Sequence, residues 1–258
     1  MTQAPAGYTR FMLSGVDVVA LGTCADAVRR ALGDSSLYAY AAAHPARREL
    51  RGRGAAYAVP LPDGRTRVVV RHSRHGGLLA PVTGDRFLPP TRAPNELRMA
   101  LRLAASGVAT PEFIAYATYP AGPLLRRSDV ATREVVGGRD LGAVLATSSP
   151  RDARESVWTA TAELLRALGR AGARHPDLNA GNVLVVAEES GAPRAFVLDV
   201  DRVVFGRAND QRIGAANLAR LVRSLRKLRA LQSVSVSDDE LATLTRLATD
   251  GATAGALA

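Results

Sequence analysis

The chain has 258 residues, of which 47% are hydrophobic and 22% are charged. These proportions are those of ordinary globular proteins, so they exclude an intrinsically disordered or fibrous chain. Lys plus Arg number 34 and Asp plus Glu 24, a formal net charge of +10, which favours an anionic partner such as phosphate, nucleic acid or a lipid surface.

A single cysteine and a single lysine limit the possible chemistry. Cys24 alone excludes an intramolecular disulfide and a cysteine zinc cluster. The only lysine, Lys227, lies late in the chain, so a Walker-type phosphate loop and Schiff-base chemistry in the first two hundred residues are excluded. The N-terminus lacks the pattern of a signal peptide, and no apolar run reaches the roughly 18 residues that span a bilayer. We therefore expect a soluble cytoplasmic protein.

The first half of the chain is predicted to be mostly β-structure with one main helix. Thr23 is a predicted cap for a first short helix, and Pro62-Asp63-Gly64 between two strand-like runs is a strong hairpin signal. The predicted strands are 16–21, 55–61, 67–71, 113–118, 124–125 and 132–136, and the predicted helices are 25–32 and 94–107.

The second half is predicted to be mostly helical, because apolar residues recur there at helical spacing. Ser237 and Glu240 predict a capping box at the start of the last helix. The predicted helices are 151–171, 209–231 and 238–248, and a two-strand insert is predicted at 183–186 and 196–198. The pattern indicates an α+β protein with a β-rich lobe over about 1–136 and a small helical lobe over about 137–258.

The chemistry is concentrated in a polar loop that precedes the two-strand insert. The order of loop, strand, turn, strand and acid places Asp177, Asn182 and Asp199 at neighbouring ends of one small hairpin. Phosphoryl transfer needs such a set: a carboxylate to accept the proton of the attacking hydroxyl, and an Asn and a second carboxylate to hold Mg²⁺. The sequence therefore predicts phosphotransfer at this hairpin.

The segment from His175 to Asn182, with Asp199 after a hydrophobic strand, resembles the protein-kinase-like superfamily, whose loop reads His-x-Asp-Leu-x-x-x-x-Asn. The resemblance implies that ATP and Mg²⁺ are used and that Asp177 is the catalytic base. It further implies that Asn182 and Asp199 are metal ligands and that His175 braces the loop. It also implies one kinase-like domain over 1–258, with two lobes.

The nucleotide-binding parts of a kinase have matches in the first half. Gly52 and Gly54 stand before the hairpin, where a glycine loop covers the nucleotide phosphates. Arg71 stands where kinases normally have a lysine that pairs with those phosphates, and Glu96 is its expected ion-pair partner. The alternative is an ordinary turn at Gly52 and Gly54 and solvated surface side chains at Arg71 and Glu96.

Two departures from protein kinases concern regulation and substrate. Pro176 replaces the arginine that reads a phosphorylated activation loop, and no Ala-Pro-Glu follows Asp199. Asn179 replaces the lysine that is common in Ser/Thr protein kinases. We therefore expect no phospho-switch, and a small molecule or a glycan as the substrate.

Five segments narrow the resemblance within the superfamily: 70–78 (an Arg-His…Gly-Gly-Leu element), 95–98, 175–182, 199–202 and the helix 217–227. In these segments the chain resembles the lipopolysaccharide kinases, and among them those that act on 3-deoxy-D-manno-octulosonic acid (Kdo). The resemblance implies phosphorylation of a Kdo hydroxyl on the lipid A precursor, at the cytoplasmic face of the inner membrane of a Gram-negative bacterium.

The charge of +10 fits peripheral binding to an anionic glycolipid surface. Arg126, Arg127 and 71–74 are candidate contacts, with solubilising charge as the alternative. Two roles are open for Asp201 and Arg202: they bind a second metal or the sugar carboxylate, or they only brace the loop. The oligomeric state is not predicted.

Three other interpretations are open. A heptose kinase or an aminoglycoside-type phosphotransferase has the same Asp, Asn and Asp set. A pseudokinase that binds nucleotide without turnover is suggested by Arg71. A nucleic-acid-binding module is suggested by the basic charge alone, but no helix combines a basic face with stacking aromatic residues, so no nucleic acid partner is expected.

Overall fold

The structure is a computed structural model that describes residues 3–33, 35–50, 55–73, 87–147, 151–187, 191–231 and 233–250. The chain divides into two compact units, residues 1–98 with 112–134 and residues 99–111 with 135–258. None of the helices in the described ranges is both long and apolar enough to cross a bilayer.

The first unit contains a seven-stranded antiparallel sheet in the order β1-β2-β6-β7-β5-β4-β3. Its strands are β1 (Tyr8–Leu13), β2 (Val16–Leu21), β3 (Arg48–Leu50), β4 (Ala56–Pro60), β5 (Arg67–His72), β6 (Phe113–Pro120) and β7 (Arg126–Arg133), and its helices are α1 (Ala25–Leu32), α2 (Leu37–Ala43) and the start of α3 (Ala93–Ala105).

The predicted hairpin is present as β4 and β5, and Asp63 shapes its turn. The carboxylate of Asp63 accepts hydrogen bonds from the backbone N–H groups of Arg65 and Thr66, both at 2.9 Å, and from the Thr66 hydroxyl at 2.7 Å. Partial burial acts to raise the pKa of Asp63, but the hydrogen bonds outweigh it and lower that pKa. An Asx turn of this kind is the reason that Asp precedes Gly between two strands.

Helix α2 is anchored to the sheet by its N-terminus. The backbone N–H of Leu37 donates to the Tyr119 hydroxyl at 2.9 Å, and that of Tyr38 donates to the buried Asp129 carboxylate at 3.0 Å. Burial, reinforced by the charge of Asp129, raises the pKa of Tyr119. Asp129 also contacts Nδ1 of His72 at 2.6 Å, so a single buried carboxylate ties α2 to two strands.

Several predicted elements in this unit were wrong or missing. Residues 124–125 are not a strand, and in place of the predicted strand 132–136 the structure has one strand, β7, that begins at Arg126 and ends at Arg133, with the polar but buried Ser128 and Asp129 in its first half. Thr23 does not cap α1, since it lies in a 3₁₀ turn and Cys24 takes the cap position without a side-chain hydrogen bond. Strands β1 and β3 and helix α2 were not predicted.

The second unit is mainly helical. Its elements are the end of α3, β8 (Arg139–Asp140), α4 (Leu141–Leu145), α5 (Arg151–Arg170), β9 (Ala173–Arg174), β10 (Val183–Ala187), β11 (Pro193–Val197), β12 (Val204–Phe205), α6 (Gln211–Ala230) and α7 (Asp238–Thr249). The strands form two small antiparallel sheets, β11-β10-β8 and β12-β9.

Helix α7 begins with the predicted capping box of Ser237 and Glu240. Glu240 also accepts hydrogen bonds from Arg154 at 2.7 Å and from the indole N–H of Trp158 at 3.2 Å, both on α5. Partial burial acts to raise the pKa of Glu240, but these donors and the backbone N–H of Ser237 lower it. The start of α7 is thereby fixed to α5.

Candidate active site

Three of the predicted site residues lie at one end of the β10–β11 hairpin in the second unit. Val183 pairs with Val197 at that end, and the backbone N–H of Leu198 donates to the carbonyl of Asn182 at 2.9 Å. Asn182 and Asp199 therefore emerge side by side from adjacent strands. Asp177 lies before Asn182, in the loop that leads into β10.

His175 fixes this loop to the strand that carries Asp199. The residue is 2% exposed, its Nδ1 accepts a hydrogen bond from the backbone N–H of Asp177 at 3.2 Å, and its Nε2 contacts the carbonyl of Leu198 at 3.0 Å. A nitrogen that accepts an N–H is unprotonated, so the network requires the Nε2–H tautomer with Nε2 as donor. The bracing role implied for His175 agrees with these contacts.

Hydrogen bonds to the backbone carbonyl of Asp177 hold the loop in its conformation. The amide Nδ2 groups of Asn179 and Asn182 both donate to the carbonyl of Asp177, at 3.0 and 2.9 Å. The Nδ2 of Asn182 is used in this way, and its Oδ1 makes no hydrogen bond within the described residues. The backbone of Asp199 is left-handed, with φ 56° and ψ 52°, a conformation that costs free energy for a non-glycine residue and recurs at functional sites.

Helix α6 presents three polar side chains to the loop at helical spacing. Asn217, which is fully buried, accepts from the backbone N–H of His175 at 3.0 Å and donates to the carbonyl of Ala173 at 2.8 Å. The hydroxyl of Ser224 accepts from the backbone N–H of Ala180 at 3.2 Å. Between them, Nη2 of Arg220 donates to Oδ1 of Asp177 at 2.9 Å. Sequence reasoning assigned no role to these residues, although their three- and four-residue spacing placed them on one face of the family-specific helix.

Arg71 and Glu96 form the predicted ion pair in the first unit. Nη2 of Arg71 at the end of β5 donates to Oε1 of Glu96 in the first turn of α3. The Glu96 side chain is 6% exposed and that of Arg71 is 32% exposed. A buried carboxylate needs such a partner, so this pair is a structural contact and the solvated-surface alternative is wrong for both residues.

The structure gives less detail about the other predicted site residues. Gly52 and Gly54 lie outside the described residues, as does most of the Arg-His…Gly-Gly-Leu element. Asp201 and Arg202 lie in a 3₁₀ turn, Val200–Arg202, directly after Asp199. Asp201 is half-buried and Arg202 is exposed.

Comparison with known proteins places this chain among the lipopolysaccharide kinases. The sequence model of the lipopolysaccharide kinase (Kdo/WaaP) family matches residues 41–246. A 3-deoxy-D-manno-octulosonic acid kinase of Stenotrophomonas maltophilia is 33% identical over 76% of this chain and 75% of its own length. A protein of the same name from Xanthomonas oryzae pv. oryzae is 36% identical over 70% of each chain.

A solved structure, WaaP in complex with acyl carrier protein, superposes with a TM-score of 0.54 at 20% identity, covering 88% of this chain and 92% of that one. This similarity confirms the predicted α+β, kinase-like fold. The family match covers most of the chain and implies the use of ATP. The chain therefore belongs to the lipopolysaccharide kinase (Kdo/WaaP) family and is a phosphotransferase with a hydroxyl acceptor in lipopolysaccharide core biosynthesis.

Proposed function

We propose that the protein transfers the γ-phosphate of ATP to a hydroxyl of Kdo on the lipid A precursor, and that its two units make one kinase-like domain. The observation that carries the proposal is the convergence of Asp177, Asn182 and Asp199 at one hairpin end in a chain that is 33–36% identical to proteins named Kdo kinase over 70–76% of its length.

In the proposed mechanism the carboxylate of Asp177 accepts the proton of the acceptor hydroxyl. The hydroxyl oxygen then bonds to the γ-phosphorus as the bond from that phosphorus to the β,γ-bridging oxygen breaks and ADP leaves. The contacts of His175 and Arg220 hold the backbone and one carboxylate oxygen of Asp177. Arg71, held by Glu96, binds phosphate oxygens of the nucleotide.

The residues at the hairpin end suit Mg²⁺. Within the described residues, neither Oδ1 of Asn182 nor the exposed Asp199 carboxylate makes a hydrogen bond or an ion pair. An oxygen-only donor set is what a hard divalent cation prefers. We propose that Asn182 and Asp199 hold Mg²⁺, which supplies charge neutralisation at the phosphates when bound.

Replacing Asp199 by Asn is expected to weaken metal binding. The substitution keeps the size of the side chain but removes the negative charge, so we expect the affinity for Mn²⁺ in the presence of ADP to fall by at least about tenfold. Electron paramagnetic resonance of free and bound Mn²⁺ measures this without turnover. Asp239→Asn, at an exposed carboxylate on α7, is the matched control. Unchanged Mn²⁺ affinity in Asp199→Asn would remove Asp199 from the ligand set.

Acceptor specificity tests the proposed function. Initial rates of phosphate transfer from ATP are measured with the Kdo-bearing lipid A precursor, with its heptosylated form, with free sugars and with an aminoglycoside. We expect transfer to the Kdo-bearing precursor in preference to the others. Preferential transfer to a heptose or an aminoglycoside assigns the protein to another branch of sugar and small-molecule kinases. Binding of ATP without consumption identifies a pseudokinase.

We also propose that the protein binds the anionic inner-membrane surface through the β6–β7 turn. Arg126 and Arg127 begin β7, and Phe87 forms an isolated bridge to Arg126. The side chains next to this bridge, Leu88 and Leu124, are 69% and 72% exposed. Basic residues beside exposed apolar ones suit an anionic lipid surface.

The double variant Arg126→Ala, Arg127→Ala is expected to lose affinity for vesicles that contain anionic phospholipid. Each basic residue near such a surface contributes about 1 kcal/mol, so both together change binding by roughly tenfold or more. Co-sedimentation with anionic and with neutral vesicles measures the loss. Arg65→Ala, at an exposed site in the β4–β5 turn, serves as the comparison. Equal losses in both proteins mean that the turn is not the contact.

A further inference from the structure

Arg220 brings a positive charge to Asp177 that the catalytic loop does not provide. Its guanidinium donates to Oδ1 of Asp177 at 2.9 Å, and its side chain is 41% exposed. The segment from His175 to Asn182 contains no arginine and no lysine. The charge therefore comes from α6, and it is accessible from solvent.

The helix backbone that carries Arg220 is fixed to the catalytic loop on both sides of this residue. Asn217 lies three residues before Arg220 and Ser224 four residues after it, and both bond to the backbone of the loop that contains Asp177. A charged group carried on a helix that is fixed in this way loses little further freedom when it binds a ligand.

Most donors of Arg220 are unused. A guanidinium has five N–H donors in a planar fork that suits carboxylates. The bond to Asp177 takes one of them, and across the described part of the chain Arg220 has no other hydrogen bond or ion pair. The remaining donors are available to a second anionic group next to Asp177.

We propose that Arg220 binds the carboxylate of an acidic acceptor sugar and so selects Kdo over neutral sugars. The inference rests on the proposed function, because it requires the acceptor hydroxyl to be bonded to Asp177. In that position the sugar ring lies beside the guanidinium, and Kdo, unlike a heptose or hexose, carries a carboxylate. With a neutral sugar, the remaining donors of Arg220 have no carboxylate to bind. A site whose donors bind a polar group of the substrate discriminates against ligands that lack that group.

Two glycolipids test this inference: the Kdo-bearing lipid A precursor, and the same molecule with the Kdo carboxyl group converted to a carboxamide. We expect the wild-type protein to prefer the acid by roughly 10- to 100-fold in kcat/KM. Arg220→Gln reduces the preference to less than about threefold, mainly through a raised KM for the acid, and Arg220→Lys restores part of it. Arg223→Ala, at an exposed position on the same helix, keeps the wild-type preference.

Loss of Arg220 also releases Asp177 and lowers kcat, so equilibrium binding is measured as well. Both glycolipids are titrated into Asp177→Asn and into the double variant Asp177→Asn, Arg220→Gln. The single variant is expected to prefer the acid and the double variant to bind both equally. The inference is wrong if the single and double variants show the same preference for the acid in binding, or if the wild-type protein shows no preference for the acid in kcat/KM. A wild-type protein that phosphorylates neither glycolipid contradicts the proposed function itself.

Discussion

Asp177→Asn is expected to lower kcat by about 10³-fold, the contribution of a general base, while the affinity for ATP stays within about twofold. The amide has the shape of the carboxylate and its oxygen still accepts the bond from Arg220, but it does not take up the proton of the acceptor hydroxyl. The loss is therefore in turnover and not in folding or nucleotide binding. Phosphate incorporation and binding of a fluorescent ATP analogue measure the two quantities separately.

Asp239→Asn is the control for this substitution, because it removes one exposed carboxylate from the first turn of α7. It is expected to behave as wild type. If Asp177→Asn retains more than about a tenth of the wild-type kcat, a loss smaller than the removal of a general base causes, another group accepts the proton and the proposed role of Asp177 is wrong.

Asn217→Ala is expected to give the largest loss of stability. The side chain satisfies two buried backbone groups, the N–H of His175 and the carbonyl of Ala173, and a buried polar group left unpaired costs about 1–3 kcal/mol. We expect the free energy of unfolding to fall by about 2–4 kcal/mol in total, and Tm to fall by roughly 5–10 °C. Thermal and urea unfolding measure the change.

Ser224→Ala gives a graded comparison for Asn217→Ala, because it removes one longer hydrogen bond, to the N–H of Ala180 at 3.2 Å. Its cost is expected to stay below about 1 kcal/mol. Similar stability of the two variants would show that Asn217 is not the main link between α6 and the loop.

Local patterns predicted the parts of the fold that depend on neighbouring residues. The β4–β5 hairpin follows from Asp63, which bonds to residues two and three positions ahead, and the start of α7 follows from the reciprocal bonds of Ser237 and Glu240. The hairpin that carries Asn182 and Asp199 was predicted for the same reason, since its two paired strands are close together in the sequence.

Long-range contacts account for what was not predicted. The partner of Asp177 is 43 residues away in the chain, and nothing in the loop indicates that α6 supplies it. Most of strand β7 was missed because Asp129 interrupts the apolar pattern, although its carboxylate is satisfied by Tyr38 and His72. The left-handed backbone of Asp199 was not predicted, because Asp adopts that region only occasionally and its residue type alone does not indicate it.

The central claim is that this phosphotransferase modifies Kdo, and the most direct test is to locate the transferred phosphate. Kdo-bearing lipid A precursor is incubated with the protein, Mg²⁺ and ATP labelled with ¹⁸O at the γ-phosphate, and the product is fragmented in a mass spectrometer. The account predicts one labelled phosphate on the fragment that contains Kdo. A labelled phosphate on the lipid A disaccharide, or an unmodified glycolipid, would contradict it.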